Sequence, residues 1–192
     1  MTRVCNCLTK IPHDHTFLFL LARLNRKKND RNVVIILIQI RSNRMKLLSS
    51  PFMEIALEEA AAAALRGEVP VGAVLVDYQN QQILAKAGNR VEELRDPTAH
   101  AEMLVIREVN RKILAHADLY VTLEPCPMCA TAISFARIRR LYFGAEYPKG
   151  GGVEHGCRVF TQPTCHHRPE IYGGISGDRS TQLLRQFFQA RR

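Results

Sequence analysis

The stretch LYVTLEPCPMCATAISFARIRRLYFGA, residues 119–145, decides the fold class of this chain. It predicts a strand at 119–123, a helix at 126–136 and a second strand at 140–144, because β-branched and aromatic runs flank an Ala-rich segment. Alternation of this kind favours helices packed on a partly parallel sheet, with reactive residues at the ends of the elements. The stretch therefore predicts an α/β domain.

The segments on either side continue the alternation of helices and strands. Before the stretch, the residue pattern predicts a helix at 52–66, a hairpin of strands at 69–77 and 82–88, a loop at 89–97 and a helix at 100–112. After it, a Gly- and Pro-rich loop at 144–169 precedes a last helix at about 178–191. Ser50 and Thr98 are placed to cap the first two helices. The expected fold class is a three-layer α/β/α domain with a mixed central sheet of about five strands.

The net charge of +9 is concentrated in the first quarter of the chain. Residues 1–46 contain ten Lys and Arg against two Asp, whereas residues 47–192 contain 17 basic and 16 acidic residues. The bulk charge therefore says little about the partners of residues 47–192, which we expect to form the folded domain. Any RNA binding by that domain has to come from local basic clusters.

Residues 1–46 have no helix or strand period that continues into the domain. We interpret them as a basic extension outside the fold, lying upstream of a functional start at Met45 or Met53. A basic arm that grips RNA and an Arg-rich organelle-targeting peptide are the alternatives. The apolar runs at 17–22 and 33–40 are much shorter than the roughly 20 residues of a membrane-spanning helix. We expect no transmembrane helix, no secretory signal and a cytoplasmic protein.

The six cysteines include one pair, Cys126 and Cys129, with the C-x-x-C spacing that reducing compartments devote to metal or redox chemistry. Together with His100 they offer two thiolates and one imidazole as ligands of tetrahedral zinc. A structural zinc site uses a fourth protein ligand, whereas a catalytic site leaves that position to water. Both cysteines lie at a predicted helix start, where the partial positive charge favours thiolates. We expect one Zn²⁺ per subunit.

Glu102 follows His100 by two residues and is the candidate catalytic proton shuttle. Zinc lowers the pKa of bound water from about 15.7 toward 7, and a nearby carboxylate must then move protons. Residues two apart point to nearly opposite sides of a helix, so both side chains can share a site only at the helix N-terminus. The pattern H-x-E…P-C-x-x-C, here HAE at 100–102 and PCPMC at 125–129, is typical of zinc-dependent nucleobase deaminases. A redox pair, a structural zinc site or a solvated glutamate would each explain only part of it.

A second group of potential ligands, Cys165, His166 and His167, lies in the predicted 144–169 loop. These side chains could serve a second metal ion. Because no further ligands accompany them, we favour a role as polar loop residues or as lining of a pocket.

Residues from about 53 to 192 resemble the bacterial tRNA-specific adenosine deaminases, within the wider cytidine-deaminase-like superfamily. The segments that carry the resemblance are VPVGAVLV at 69–76, GNR at 88–90, DPTAHAE at 96–102, LEPCPMCATAI at 123–133, RIRRLYFGA at 137–145 and the terminal FFQARR. The zinc motif alone points only to the superfamily. The flanking segments and the C-terminal helix point to this branch.

The resemblance implies hydrolytic deamination of the wobble adenosine, position 34 of tRNA, to inosine by a homodimer. It implies that His100, Cys126 and Cys129 bind zinc and that Glu102 is the proton shuttle. It further implies that Asn89 hydrogen-bonds the target nucleoside and that the Ala101 backbone lines the base pocket.

The resemblance also implies that the tRNA anticodon loop is the partner. Lys149, Arg191 and Arg192 belong to the local basic clusters available for RNA contacts, although each could equally be ordinary solvated charge. Tyr147 departs from the acidic residue that many family members carry two places after FGA, which concerns loop recognition rather than chemistry.

Two other functions fit part of the sequence. Guanine deaminases and other small-molecule deaminases of the superfamily carry similar DPTAHAE and EPCPMC segments, but a free-base enzyme does not need the basic FFQARR terminus. A non-catalytic, zinc-stabilised RNA-binding subunit is the other alternative. Against it stands Glu102, since a scaffold has no use for a proton shuttle beside an open zinc position.

Overall fold

A computed structural model describes residues 50–191 of the chain. The helices are α1 (Pro51–Leu65), α2 (Val91–Leu94), α3 (Ala101–Glu108), α4 (Pro127–Ala136) and α5 (Gly177–Gln189). The strands are β1 (Gly72–Asp77), β2 (Ile83–Gly88), β3 (Ala117–Leu123), β4 (Arg140–Ala145) and β5 (Glu170–Tyr172), and a short 3₁₀ helix covers Val159–Thr161. The predicted basic extension at 1–46 lies outside the described residues.

The five strands form one mixed sheet in the order β2-β1-β3-β4-β5. β1 runs antiparallel to both of its neighbours, whereas β3, β4 and β5 are parallel. In the parallel part, α4 connects β3 to β4 as the crossover helix. The carboxyl ends of the parallel strands therefore meet at one edge of the sheet, which is the usual place for a site in such folds.

Alternating residues of the central strands bury the two faces of the sheet against different helices. Leu75, Leu119 and Leu141 belong to the larger core, which also contains Ala101 of α3 and Ile133 of α4. On the other face, the core is formed by α1 and the turn before α5, with Met53, Ala56, Val74, Val76, Tyr120 and Ile175 as its buried members. Helices on both faces of one sheet make the predicted three-layer α/β/α domain, and that prediction is confirmed.

The helix predicted at 100–112 is shorter than its sequence pattern indicates. α3 ends at Glu108 rather than at residue 112, because Asn110 takes a left-handed φ of 50° that an α-helix does not accommodate. Its N-cap residue is His100, and Thr98 does not cap it. The Thr98 hydroxyl instead donates to Asp96 Oδ1 at 2.6 Å. Ser50 has the extended N-cap conformation at α1 but makes no side-chain cap bond.

Three short elements lie inside segments for which the pattern predicts no regular structure. They are α2, the 3₁₀ helix and β5, none longer than four residues. Segments this short carry too few residues to show a hydrophobic period. Between residues 50 and 191, no helix combines the length and the apolar composition needed to cross a membrane.

A candidate metal centre at two helix N-termini

The ends of two helices bring the predicted zinc ligands together. His100 is the N-cap residue of α3 and Cys126 is the N-cap residue of α4, and both have extended backbone conformations. Pro127 occupies the first position of α4, where its missing N–H costs no helical hydrogen bond. Cys129 lies one turn into α4 and is fully buried, so it faces the same side as Cys126. His100 thus lies at the N-terminal end of α3, where the sequence analysis predicts the site.

The distances between the ligand atoms fit a tetrahedral zinc site. His100 Nδ1 lies 3.6 Å from Cys126 Sγ and 3.5 Å from Cys129 Sγ. Zinc bonded to sulfur at about 2.3 Å and to nitrogen at about 2.0 Å holds those atoms about 3.5 Å apart in a tetrahedron. All three ligand atoms lie within 4.8 Å of one another, and residues 50–191 contain no second group of three such ligands. Cys165, His166 and His167 do not make up such a group in the described part of the chain.

The two thiols of the site differ in their affinity for protons. The Cys129 thiol, as hydrogen-bond donor, lowers the pKa of Cys126 to about 4, and His100 contributes further. The same bond, together with burial, raises the pKa of Cys129. Cys126 therefore gives up its proton more readily than Cys129, whose burial opposes ionisation.

Glu102 is the second residue of α3 and is buried beside the three ligands. Burial raises the pKa of its carboxyl group, and its Oε2 atom has no hydrogen-bond partner. A buried carboxylate oxygen without a partner is costly unless a ligand, an ion or a water satisfies it. A proton shuttle has this character, because its pKa must lie near the working pH and one oxygen must remain free for the substrate.

Asn89 is held in place by two hydrogen bonds, one through its side chain and one through its backbone carbonyl. Its Oδ1 accepts a 3.0 Å hydrogen bond from the backbone N–H of Ala101, which is one of the unpaired donors at the start of α3. Its backbone carbonyl accepts a bond from the Arg66 guanidinium at 3.2 Å. Because Oδ1 is used in this way, the two amide hydrogens of Asn89 remain available for a ligand. Ala101 itself is completely buried.

A buried carboxylate that the sequence pattern does not single out, Glu124, follows β3 and precedes Cys126 by two residues. It accepts five hydrogen bonds, four from backbone N–H groups and one from a side chain; the donors are Tyr147, Val153, Glu154 and His155, the last with both its N–H and its Nδ1. Burial alone would raise the pKa of Glu124, but the bonds from Tyr147, His155 and Glu154 lower it below its ordinary value. No local pattern in the sequence signals this role, because all of its donors lie more than 20 residues away.

The predicted RNA contacts lie in different surroundings. Lys149 is exposed in the loop that follows β4. The Arg191 guanidinium lies 3.8 Å from the centre of the Phe187 ring and donates to the Gly67 carbonyl, so it already joins α5 to the end of α1. Arg192 lies outside the described residues.

Cys165 and His167, from the second group of potential ligands, make hydrogen bonds next to the end of α4. The Ser134 hydroxyl bonds the His167 carbonyl at 2.9 Å and lies 3.4 Å from Cys165 Sγ. His167 Nε2 lies 2.7 Å from the Ile138 carbonyl, which makes it the donor to that oxygen. These bonds fasten the loop to α4, in agreement with a role as polar loop residues.

Comparison with known proteins gives consistent results. Residues 48–145 match the cytidine and deoxycytidylate deaminase zinc-binding region. The tRNA-specific adenosine deaminase of Agrobacterium fabrum is 58% identical over 145 residues, which is 73% of this chain and 94% of that protein. The tRNA-specific adenosine deaminase of Rickettsia bellii is 46% identical over 141 residues, 71% of this chain and 97% of that protein.

A solved structure has the same fold. It comes from biochemical and structural studies of A-to-I editing by tRNA:A34 deaminases at the wobble position of transfer RNA, and it is 56% identical in sequence. The match covers 71% of this chain and all of that one, with a TM-score of 0.68.

Proposed function

The chain belongs to the tRNA-specific adenosine deaminases, within the cytidine and deoxycytidylate deaminase zinc-binding family, and from that premise we propose how its residues convert adenosine 34 of tRNA to inosine. The reaction is hydrolytic: adenosine and water give inosine and ammonia. The observation that carries the mechanism is the convergence of His100 Nδ1, Cys126 Sγ and Cys129 Sγ beside the buried, unpartnered Glu102 Oε2.

Zinc is the cofactor of this family, and the donor set here fits it. His100, Cys126 and Cys129 would hold the ion and leave one tetrahedral position without a protein ligand. When bound, zinc supplies the Lewis acidity that makes water a nucleophile at neutral pH. One ion per subunit follows from one group of ligands in the described residues.

Glu102 moves the protons of the reaction. Its carboxylate takes a proton from the attacking water and delivers it to N1 of the adenine ring as the C6–O bond forms. It then transfers the second proton to the exocyclic amine, which leaves as ammonia when the C6–N bond breaks. Burial supports the first step, because a raised pKa makes the Glu102 carboxylate a better proton acceptor.

Asn89 and Ala101 hold the target base. The Oδ1 atom of Asn89 is committed to the Ala101 N–H, so the amide hydrogens are directed to an acceptor on the nucleoside. The base has to leave its stack to reach this position, and the cost of a few kcal/mol is smallest in an unpaired loop. An anticodon loop is therefore a better substrate than a duplex.

We also propose that the enzyme is a homodimer and that it works in the cytoplasm, where its substrate is used. Phe135 of α4, with 61% of its surface exposed on the helix that carries the two cysteines, is available to such an interface. Residues 1–46 take no part in this function, whereas residues 47–192 form the deaminase domain. Light scattering of the purified chain tests the dimer, with twice the chain mass expected and a single chain mass contradicting it.

The proposed function is tested with a panel of substrates. Purified protein is incubated with an anticodon stem-loop that carries adenosine 34, and separately with free adenosine, guanine and cytidine. Inosine from the stem-loop alone is the expected result. Ammonia from free guanine, with the stem-loop unchanged, would instead identify a small-molecule deaminase.

A further inference from the structure

The buried carboxylate of Glu124 organises a loop rather than the sheet that carries it. Its side chain has no exposed surface. A buried charge adds little to stability even when it is paired, so its presence calls for a structural purpose. All five of its hydrogen bonds come from one segment, residues 147–155, which lies 23 to 31 positions away in the chain.

The 147–155 loop packs directly on the backbone that carries a metal ligand. The N–H of Gly152 donates to the Pro125 carbonyl at 2.8 Å. A Cβ atom on Gly152 would lie 2.7 Å from Pro127 N and 2.9 Å from the carbonyl carbon of Cys126, and one on Gly151 would lie 2.5 Å from the Glu124 carboxylate. Only glycine fits such close approaches. Glu124 thus joins the loop and the Cys126 segment into one unit.

The exposed tip of the same loop is ordered by the contacts at its base. The N–H groups of Gly150 and Gly151 both donate to the Tyr147 carbonyl, at 3.2 and 2.7 Å. Gly150 packs so closely on the Tyr147 ring that a Cβ atom there would lie 2.6 Å from Cζ. Tyr147 and Lys149 are exposed at this tip, so they present an aromatic ring and a cation to solvent. Single-stranded RNA is recognised by ring stacking and by phosphate contacts.

His155 contacts the buried Glu124 carboxylate from the surface of the protein. Its Nδ1 donates to Glu124 Oε2 at 2.7 Å, and this bond is the side-chain bond among the five. The side chain is 30% exposed, and its Nε2 lies 4.0 Å from Glu146. A charge-assisted bond of this length is strong, and a substitution can remove it without disturbing the backbone donors.

We propose that Glu124 and His155 are positioning residues for RNA binding, which hold the 147–155 loop in one conformation so that Tyr147 and Lys149 meet the anticodon loop. This inference rests on the proposed function. Neither residue touches the reacting atoms. Their effect is on the binding of the RNA and not on the chemical step, because preorganised loops cut the cost of ordering upon binding.

The test compares His155→Ala with His155→Asn in the full-length enzyme loaded with zinc. Alanine removes the donor to Glu124, and KM for the stem-loop is expected to rise about tenfold while kcat stays within about twofold. The asparagine amide nitrogen lies close to the position of Nδ1, so the KM of His155→Asn should stay close to that of the unmodified enzyme. His116→Ala is the matched control, since His116 precedes β3 at the end opposite Glu124. An unchanged KM in His155→Ala, or an equal fall in kcat, would overturn the proposal.

Two further measurements separate this inference from the proposed function. Hydrogen exchange of the 147–155 amides needs no RNA, and faster exchange in His155→Ala and Gly151→Ala is expected. Unchanged exchange contradicts the role of His155 in holding the loop. In a background that carries both Tyr147→Ala and Lys149→Ala, His155→Ala should raise KM by less than about twofold, because the loop has already lost both side chains that it presents. The same tenfold rise in both backgrounds would overturn the link to Tyr147 and Lys149. Failure of the unmodified enzyme to edit the stem-loop would count against the proposed function alone.

Discussion

The metal centre and the 147–155 loop lie side by side but are built on opposite principles. In the centre, four side chains from two helix N-termini converge, and the chemistry dictates the type of each one. In the loop, four backbone N–H groups donate hydrogen bonds to one buried carboxylate, that of Glu124. On the proposed mechanism, the comparison teaches that the reaction depends on four side chains whose types the chemistry dictates, whereas recognition of the RNA depends on the conformation of a loop backbone.

The largest effect is expected from removing a ligand of the metal centre. Cys129→Ala should abolish zinc binding and activity together, and should lower the melting temperature, because the native state loses its bound ion. Metal analysis and thermal unfolding measure both. Cys157→Ala is the control, since this cysteine is exposed in the described structure. An active Cys129→Ala enzyme would contradict the assignment of Cys129 as a zinc ligand that the reaction requires.

A smaller loss is expected when the proton shuttle alone is changed. Glu102→Gln keeps the size of the side chain and should lower kcat about 10³-fold, with about one zinc per chain retained. The exposed Glu108, at the other end of α3, supplies the control Glu108→Gln. Full turnover by the Glu102→Gln enzyme would contradict the assignment of proton transfer to this residue.

Asn89 lies at the boundary between chemistry and recognition, so two substitutions separate its roles. Asn89→Asp keeps an oxygen for the Ala101 N–H but removes both amide hydrogens, while Asn89→Ala removes everything. Both should lower kcat/KM on the stem-loop by about 10- to 100-fold, because a donor to the base is lost. Only Asn89→Ala should also lower the melting temperature. Activity retained by Asn89→Asp would show that Asn89 only supports the helix.

The smallest effect is expected from deleting the basic segment before Met45. A chain that starts there should edit the stem-loop with kcat/KM within about twofold of the full chain. If the segment were an RNA arm, its loss would lower the slope of log affinity against log salt by about 0.7 to 0.9 for each phosphate contact. An unchanged slope is the result that we expect.

The sequence alone predicts the metal centre better than its surroundings, for physical reasons. His100, Glu102, Cys126 and Cys129 are fixed by chemistry and by local helical spacing, and the described structure brings the three ligands together as expected. The three layers follow in the same way from the periods of the longer elements. β5, with three residues, is too short to show such a period.

The conformation of the 147–155 loop could not be predicted from the sequence, because the residues that contact each other there are distant in the chain. Glu124 is one charged residue among many until the fold places it beside residues that follow it by 23 to 31 positions. Arg191 shows the converse, since an apparently free cation stacks on Phe187 and bonds the Gly67 carbonyl. Pairings of this kind depend on tertiary structure, which local patterns do not encode.

The most direct test of the central claim uses one stem-loop with adenosines at position 34 and at a second unpaired position of the anticodon loop. Sequencing of the product after incubation with the zinc-loaded enzyme reports each conversion as an A-to-G change. We predict inosine at position 34 and unchanged adenosine at the other position, because the base pocket and the loop beside it select one nucleotide. Equal conversion at both positions, or none at position 34, would contradict the account.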